Sequence, residues 1–203
     1  MRTEKYELDG ETILLPVAES YSDCLSLVRS DLFRINGTVK SSLSIVLHAL
    51  RHPGASLLFW FRLCQHDGIF RSFCRWMYRW TSRRSNIWIP LSTRIGYGLY
   101  IGHAMCIVIN GGTVIGNNVN LSHFVSIGSN HDSPALIGNN VYIGPHVSIV
   151  EDVRVGSEST IGAGAVVTKD VPAGTTVAGV PARVLHFNEP GRYIHRRWRG
   201  QGV

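Results

Sequence analysis

Aliphatic residues recur every six positions through the second half of this chain, and that period excludes most folds at once. Ile137, Ile143, Ile149, Val155, Ile161 and Val167 form one run, and Ile109, Ile115, Leu121 and Ile127 form another upstream. Ile95 and Ile101 begin the series, with a two-residue slip before Ile109. Gly96, Gly102, Gly116, Gly138, Gly144, Gly156 and Gly162 each directly follow one of these aliphatics. A period of six fits neither a 3.6-residue helix nor the two-residue alternation of one long strand. It fits short strands joined at regular corners, with a small residue giving each turn its backbone freedom. Three such sides make a triangular coil, and stacked coils make a parallel β-helix. The glycine content, 21 of 203 residues, has its explanation there.

Residues 85–185 are therefore expected to be a β-helix of about five coils. One interruption stands out: Ile127 to Ile137 spans ten positions, so four extra residues bulge from a corner in the loop Gly128–Ala135. Loops thrown out from a rigid scaffold are where function concentrates. Residues 1–84 read differently. Apolar residues at helical spacing run over Tyr21–Phe33, Ser41–Arg51, Ser56–Gln65 and Ile69–Thr81, broken by His52-Pro53-Gly54. This pattern predicts a helical N-terminal domain capping the coil stack, with a linker around Ser82–Asn86. Residues 186–203 form a basic, aromatic tail, expected to be an interaction arm or a loosely held end.

The net charge of +6 is concentrated in residues 48–84, which hold seven Arg against the single Asp67. Those arginines alternate with large apolar residues, a pattern of amphipathic helices rather than of a nucleic-acid stripe. Such helices face a core, a partner or a membrane surface, so a peripheral contact with an anionic membrane is one expected partner, and nucleic acid is not. The longest apolar run, Ala55 to Phe61, is far short of the ~20 residues a membrane span needs. Four cysteines (Cys24, Cys64, Cys74, Cys106) show no metal spacing, and Met1–Lys5 leads into polar sequence. Free thiols and a cytoplasmic setting, at the inner face of the membrane, are expected.

Three blocks carry a resemblance: Gly138–Gly144, then Ile161–Pro172, then Ala178–Val184. In order and spacing they resemble the left-handed β-helix acyltransferases of the hexapeptide-repeat superfamily. The segment Ile95–Ala104 with Ile107-Val108-Ile109 is similar to the serine acetyltransferases and their polysaccharide O-acetyltransferase relatives. The resemblance implies transfer of an acetyl group from acetyl-CoA, a homotrimer, an active site between neighbouring β-helices, and no metal. It also implies acetyl-CoA contacts at Gly144, Pro145, Ala163, Thr168, Lys169 and Arg183. Lys169 and Arg183 suit the anionic nucleotide end, where cationic donors pair with phosphate.

Acyl transfer from a thioester needs a base for the acceptor's proton, and histidine titrates near working pH. His103, at a coil corner, matches the serine acetyltransferase branch's catalytic position; His131, in the extruded loop, resembles the base of galactoside- and antibiotic-modifying relatives. Both stay open, since two histidines can flank one acceptor. His123 and His146 read as corner histidines, His123 stacking with His103 along one edge, and His48, His52 and His66 as surface or core-edge residues. The branch's two aspartates, fifteen residues before and directly before the catalytic histidine, are here Trp88 and Gly102. No loop arginine is present to grip an amino-acid carboxylate, which would be costly to bury unpaired. A saccharide hydroxyl, in surface polysaccharide or its precursor, is the expected acceptor, with serine as the alternative. A β-helix zinc carbonic anhydrase is a different-class alternative, and its ligand spacing is absent here.

Overall fold

Alternating burial along Arg2–Leu8 and Glu11–Val17 makes these the strands β1 and β2 of an antiparallel hairpin. The structure is a computed structural model that describes residues 1–38, 41, 45–47, 52–130 and 133–200. The hairpin corrects the expectation of a helical domain over 1–84. Asp9 and Gly10, at φ +50° and +85°, close it in the left-handed geometry that matches strand twist. Leu8, Ile13 and Leu15 bury themselves against Val114 on the coil stack, so the hairpin has no core of its own.

Three helices follow: α1 (Tyr21–Asn36), α2 (Pro53–Leu63) and α3 (Arg71–Ser85). Ser20 caps α1 by accepting from the Asp23 N–H at 3.2 Å, and Gly37 ends it in the left-handed region at φ +73°. Pro53 opens α2, where its missing N–H is harmless. The expected linker at 82–86 is instead the last turn of α3 and its cap. Ser82 and Ser85 are buried, and the Ser82 hydroxyl donates to the Ile87 carbonyl.

The hexads become two-residue strands. They are β3 (Arg94–Ile95), β4 (Tyr100–Ile101), β5 (Val108–Ile109), β6 (Val114–Ile115), β7 (Asn120–Leu121) and β8 (Ser126–Ile127). The lower ones are β9 (Leu136–Ile137), β10 (Tyr142–Ile143), β11 (Ser148–Ile149), β12 (Arg154–Val155), β13 (Thr160–Ile161) and β14 (Val166–Val167). They stack as three parallel ladders, β3-β6-β9-β12, β4-β7-β10-β13 and β5-β8-β11-β14. β15 (Thr176–Ala178) extends the middle ladder and pairs antiparallel with β16 (Arg183–His186). The second residue of every hexad strand points into one continuous core, and each such aliphatic contributes about 1.5–3 kcal/mol on full burial.

The glycine after each aliphatic serves a different purpose from the one its position suggests. Left-handed backbone falls two residues later, at Asn118, Asn140 and Glu158. A Cβ on Gly116 would lie 2.4 Å from the Gly138 carbonyl oxygen, and one on Gly156 2.4 Å from the Ala173 nitrogen. These glycines let successive coils approach.

The first coil has no coil above it, and the helices satisfy its backbone instead. Arg62, buried, forms a two-pronged ion pair with Asp31 (2.8 and 3.0 Å) and donates to the Ile95 and Gly96 carbonyls at 2.9 and 2.6 Å. Asp31 accepts from the Leu99 N–H at 2.8 Å, and Ser30 Oγ from the Gly98 N–H at 2.9 Å. At the other end, the tail is a strap rather than an arm. Ile194 is buried, Arg197 grips Glu158 through two bonds (2.7 and 2.6 Å), and Trp198 packs edge-on against Phe33 of α1.

Candidate active site

The strand register locates the two-residue slip. Tyr100 lies opposite Asn120, twenty positions on, whereas Val108 lies opposite Ser126, eighteen on. The extra residues therefore sit in the corner between β4 and β5. There the Phe124 N–H donates to the Met105 carbonyl (3.2 Å), as one coil later the His146 N–H donates to His123 (3.1 Å). Met105 thus occupies the place of His123, and His103-Ala104 is the insertion. His103 has φ +51°, and its ring meets that of His123 edge-on at 5.6 Å. His123 in turn meets His146 at 5.7 Å, and Phe124 stacks on His146 at 4.6 Å. The expected His103–His123 stack is present. The buried Nδ1 of His123 has no hydrogen-bond partner among the described residues.

A cleft of about 380 Å3 opens beside His103, between the insertion and the facing ends of α1 and α2; Asn36, His52, Pro53, Tyr100 and Ala104 line it. A second cleft, also of about 380 Å3, shares Ile35 and Tyr100 with it and is lined by Arg34, Asn120, Tyr193, His195 and Arg196. No carboxylate is among the lining residues of either. Arg34 spends its donors on the His195 carbonyl (3.1 Å), the Gly98 carbonyl (3.1 Å) and Asn120 Oδ1 (2.6 Å). Burial, opposed by Asp31, brings the Arg34 guanidinium down to about 10, so it stays cationic at neutral pH. Arg196 bonds the Ile35 carbonyl at the α1 C-terminus. The second cleft is therefore lined by two guanidinium groups, with no carboxylate beside them.

The candidate acetyl-CoA residues lie along two edges that flank the β5-β8-β11-β14 ladder. Gly144, Pro145 and Ala163 share the corner edge of His103, stacked through the Gly144 N–H to Ile161 (2.9 Å) and the Gly164 N–H to Pro145 (2.8 Å). His103 and Ala163 are three ladder steps apart, about 14 Å at the usual strand spacing. Thr168 and Lys169 follow β14 on the next edge, which the loop after Gly128 shares. Arg183 sits opposite Ala178 at the foot of the His103 edge. Lys169 and Arg183 are exposed, with no ion pair among the described residues. His131 lies outside the described residues. Among those residues no group of three His, Cys, Asp or Glu side chains is placed to hold a metal ion.

His52, expected to be a surface or core-edge residue, lines the first cleft, and Arg34 and Arg196, which no sequence pattern singled out, line the second. His52 had a local signal, since it directly precedes the proline that opens α2. Arg34 and Arg196 had none, because the strap brings them together across some 160 residues. Two cations, from α1 and the tail, thus line a cleft next to that of His103, while the loop supplies no arginine.

A chain of stacked hexads with histidine-bearing corners defines a class, the hexapeptide-repeat transferases. Residues 134–169 match the family described as bacterial transferase hexapeptide (six repeats). Serine acetyltransferase of Helicobacter pylori (strain J99) is 32% identical over 142 residues, covering 67% of this chain and 83% of that protein. Serine acetyltransferase 3 (mitochondrial) of Arabidopsis thaliana is 43% identical over 96 residues, 45% of this chain and 25% of that one. Galactoside O-acetyltransferase of Escherichia coli K12 is 38% identical over 105 residues, 45% of this chain and 52% of that one. The chain thus spans a quarter to about half the length of the last two. Among solved structures, Neisseria gonorrhoeae serine acetyltransferase in complex with serine matches with TM-score 0.65 at 30% identity, over 81% of this chain and 70% of that one. The Brucella abortus serine acetyltransferase in complex with coenzyme A matches with TM-score 0.66 at 26% identity, over 84% and 69%. The chain belongs to the hexapeptide-repeat acyltransferase superfamily.

Proposed function

We propose that the protein is an acetyl-CoA-dependent O-acetyltransferase whose acceptor carries a carboxylate near its hydroxyl, with L-serine the first candidate. The observation that carries this reading is the positive cleft of Arg34 and Arg196 joined to the cleft of His103. In the reaction, the acceptor oxygen attacks the thioester carbonyl while His103 takes its proton. The tetrahedral intermediate collapses, the C–S bond breaks, and the protonated His103 returns the proton to the departing sulfur of CoA. Gly144, Pro145 and Ala163 would line the path of the pantetheine arm, with Thr168, Lys169 and Arg183 toward the phosphates. A homotrimer would close this groove with a neighbouring copy. The exposed apolar side chains Met105, Val108 and Phe124 beside the His103 corner support that assembly.

A second reading, transfer to a saccharide hydroxyl, draws on Trp88 and Gly102, which stand where serine acetyltransferases carry aspartates. Trp88 is 67% exposed, a flat apolar face that suits a sugar ring. It is also consistent with the galactoside O-acetyltransferase relative. Release of free CoA from acetyl-CoA, followed with L-serine, galactosides and uronic acids as acceptors, tests the two. Turnover with serine and little with neutral sugars is expected. Turnover with galactosides but not serine would replace the first reading by the second, and no turnover with any acceptor would overturn both.

A further inference from the structure

The exposed part of α3 carries two adjoining stripes that the acyltransferase reading does not use. Cys74, Tyr78, Thr81, Ser82 and Ser85 face the core. Arg75, Arg79 and Arg83, each four residues apart, form the first exposed stripe, and Phe73, Trp76 and Trp80 form the second. The aromatic stripe is open to solvent: Phe73 is 53%, Trp76 62% and Trp80 48% exposed, and Ile69 and Phe70 prolong it before the helix begins. None of the three arginines forms an ion pair among the described residues, and Arg84 lies over the Trp80 ring at 4.9 Å. The sequence holds no Asp or Glu between Asp67 and Asp132, so nothing local offsets these charges. The arginines also form one wall of a cleft of about 440 Å3, whose other wall is Trp88, Pro90 and Leu91.

A single helix with a buried face, a guanidinium stripe and an aromatic stripe has the anatomy of a segment lying in a membrane interface. Aromatic side chains enter the headgroup boundary while arginines stay among the phosphates. We infer that α3 docks this protein onto an anionic bilayer surface, lying in its plane, with Trp76 and Trp80 inserted and Arg75, Arg79 and Arg83 on lipid phosphates. The docking is peripheral, because no helix among the described residues is long and apolar enough to cross a membrane. Among the described arginines of 48–84, Arg62 is buried in its pair with Asp31 and Arg71 pairs with Asp67, which leaves the unpaired charge on the rest of α3.

The test is co-sedimentation of the full chain with vesicles of phosphatidylcholine alone or mixed with phosphatidylglycerol, with tryptophan emission read in parallel. Binding to the anionic vesicles only, with a blue-shifted emission and release in high salt, is expected. Arg75→Gln/Arg79→Gln/Arg83→Gln should weaken binding about 100-fold, at about fivefold per arginine. Trp76→Ala/Trp80→Ala should abolish the emission shift and weaken binding as well. Both variants alter exposed side chains, so an unchanged melting temperature confirms that they remain folded. Failure of the wild type to bind anionic vesicles would overturn the inference. So would unaltered binding by the tryptophan variant, which marks mere charge attraction, or a loss of oligomer in that variant, which marks the stripe as a contact between copies.

Discussion

The upper and lower coils of the β-helix are built from one repeat and differ in where it is broken. In the lower coils β9, β10 and β11 meet β12, β13 and β14 eighteen residues on, as Leu136 meets Arg154 and Ser148 meets Val166, and only the last turn is two residues shorter, Thr160 meeting Thr176. Above them, one coil gains His103-Ala104 and the next gains the four extra residues after Ile127. The regular coils contribute an unbroken aliphatic stack and a smooth edge. The irregular ones contribute the histidine corner, the extruded loop and the clefts shared with the helices. Regularity supplies rigidity, and the histidine corner and its clefts enter where the period slips, because an inserted residue is free of the stacking that fixes the strand positions.

Deleting His103-Ala104 breaks this contrast most directly, since joining Gly102 to Met105 makes the first coil regular. The variant should fold, with a melting temperature within a few degrees of the wild type, and lose acetyl transfer by about 10²-fold or more. Asp31→Ala attacks the cap instead. It strands the buried Arg62 guanidinium and should cost about 3–5 kcal/mol, read as a lower midpoint in urea. Ile143→Ala, in the regular stack, should cost about 2–5 kcal/mol and leave the acceptor KM unchanged. Arg196→Gln sharpens the contrast from the site's side: the KM for a carboxylate-bearing acceptor should rise about tenfold, with kcat and stability little altered.

The coil stack was legible in the sequence because its period of six is a purely local pattern. The ring contact between His103 and His123 was legible too, since stacking follows from register. The hairpin was missed although Asp9-Gly10 between alternating apolar residues is a local turn signal; helical spacing further on drew residues 1–84 into one class. The role of the glycines was misassigned because sequence shows that a position is small, not whether φ or a neighbouring coil demands it. The cationic cleft was out of reach. It exists only because Ile194 and Arg197 anchor the tail across the middle ladder and bring Arg196 to the end of α1.

Whether the inserted His103 is the base is read from His103→Ala in two assays on one preparation. One follows CoA release with L-serine, and the other follows equilibrium binding of acetyl-CoA. A fall in turnover of about 10²-fold or more with acetyl-CoA affinity preserved is the expected result. Turnover within a few-fold of the wild type, with binding equally intact, would contradict it and move the base to another residue, with His131 the first to examine.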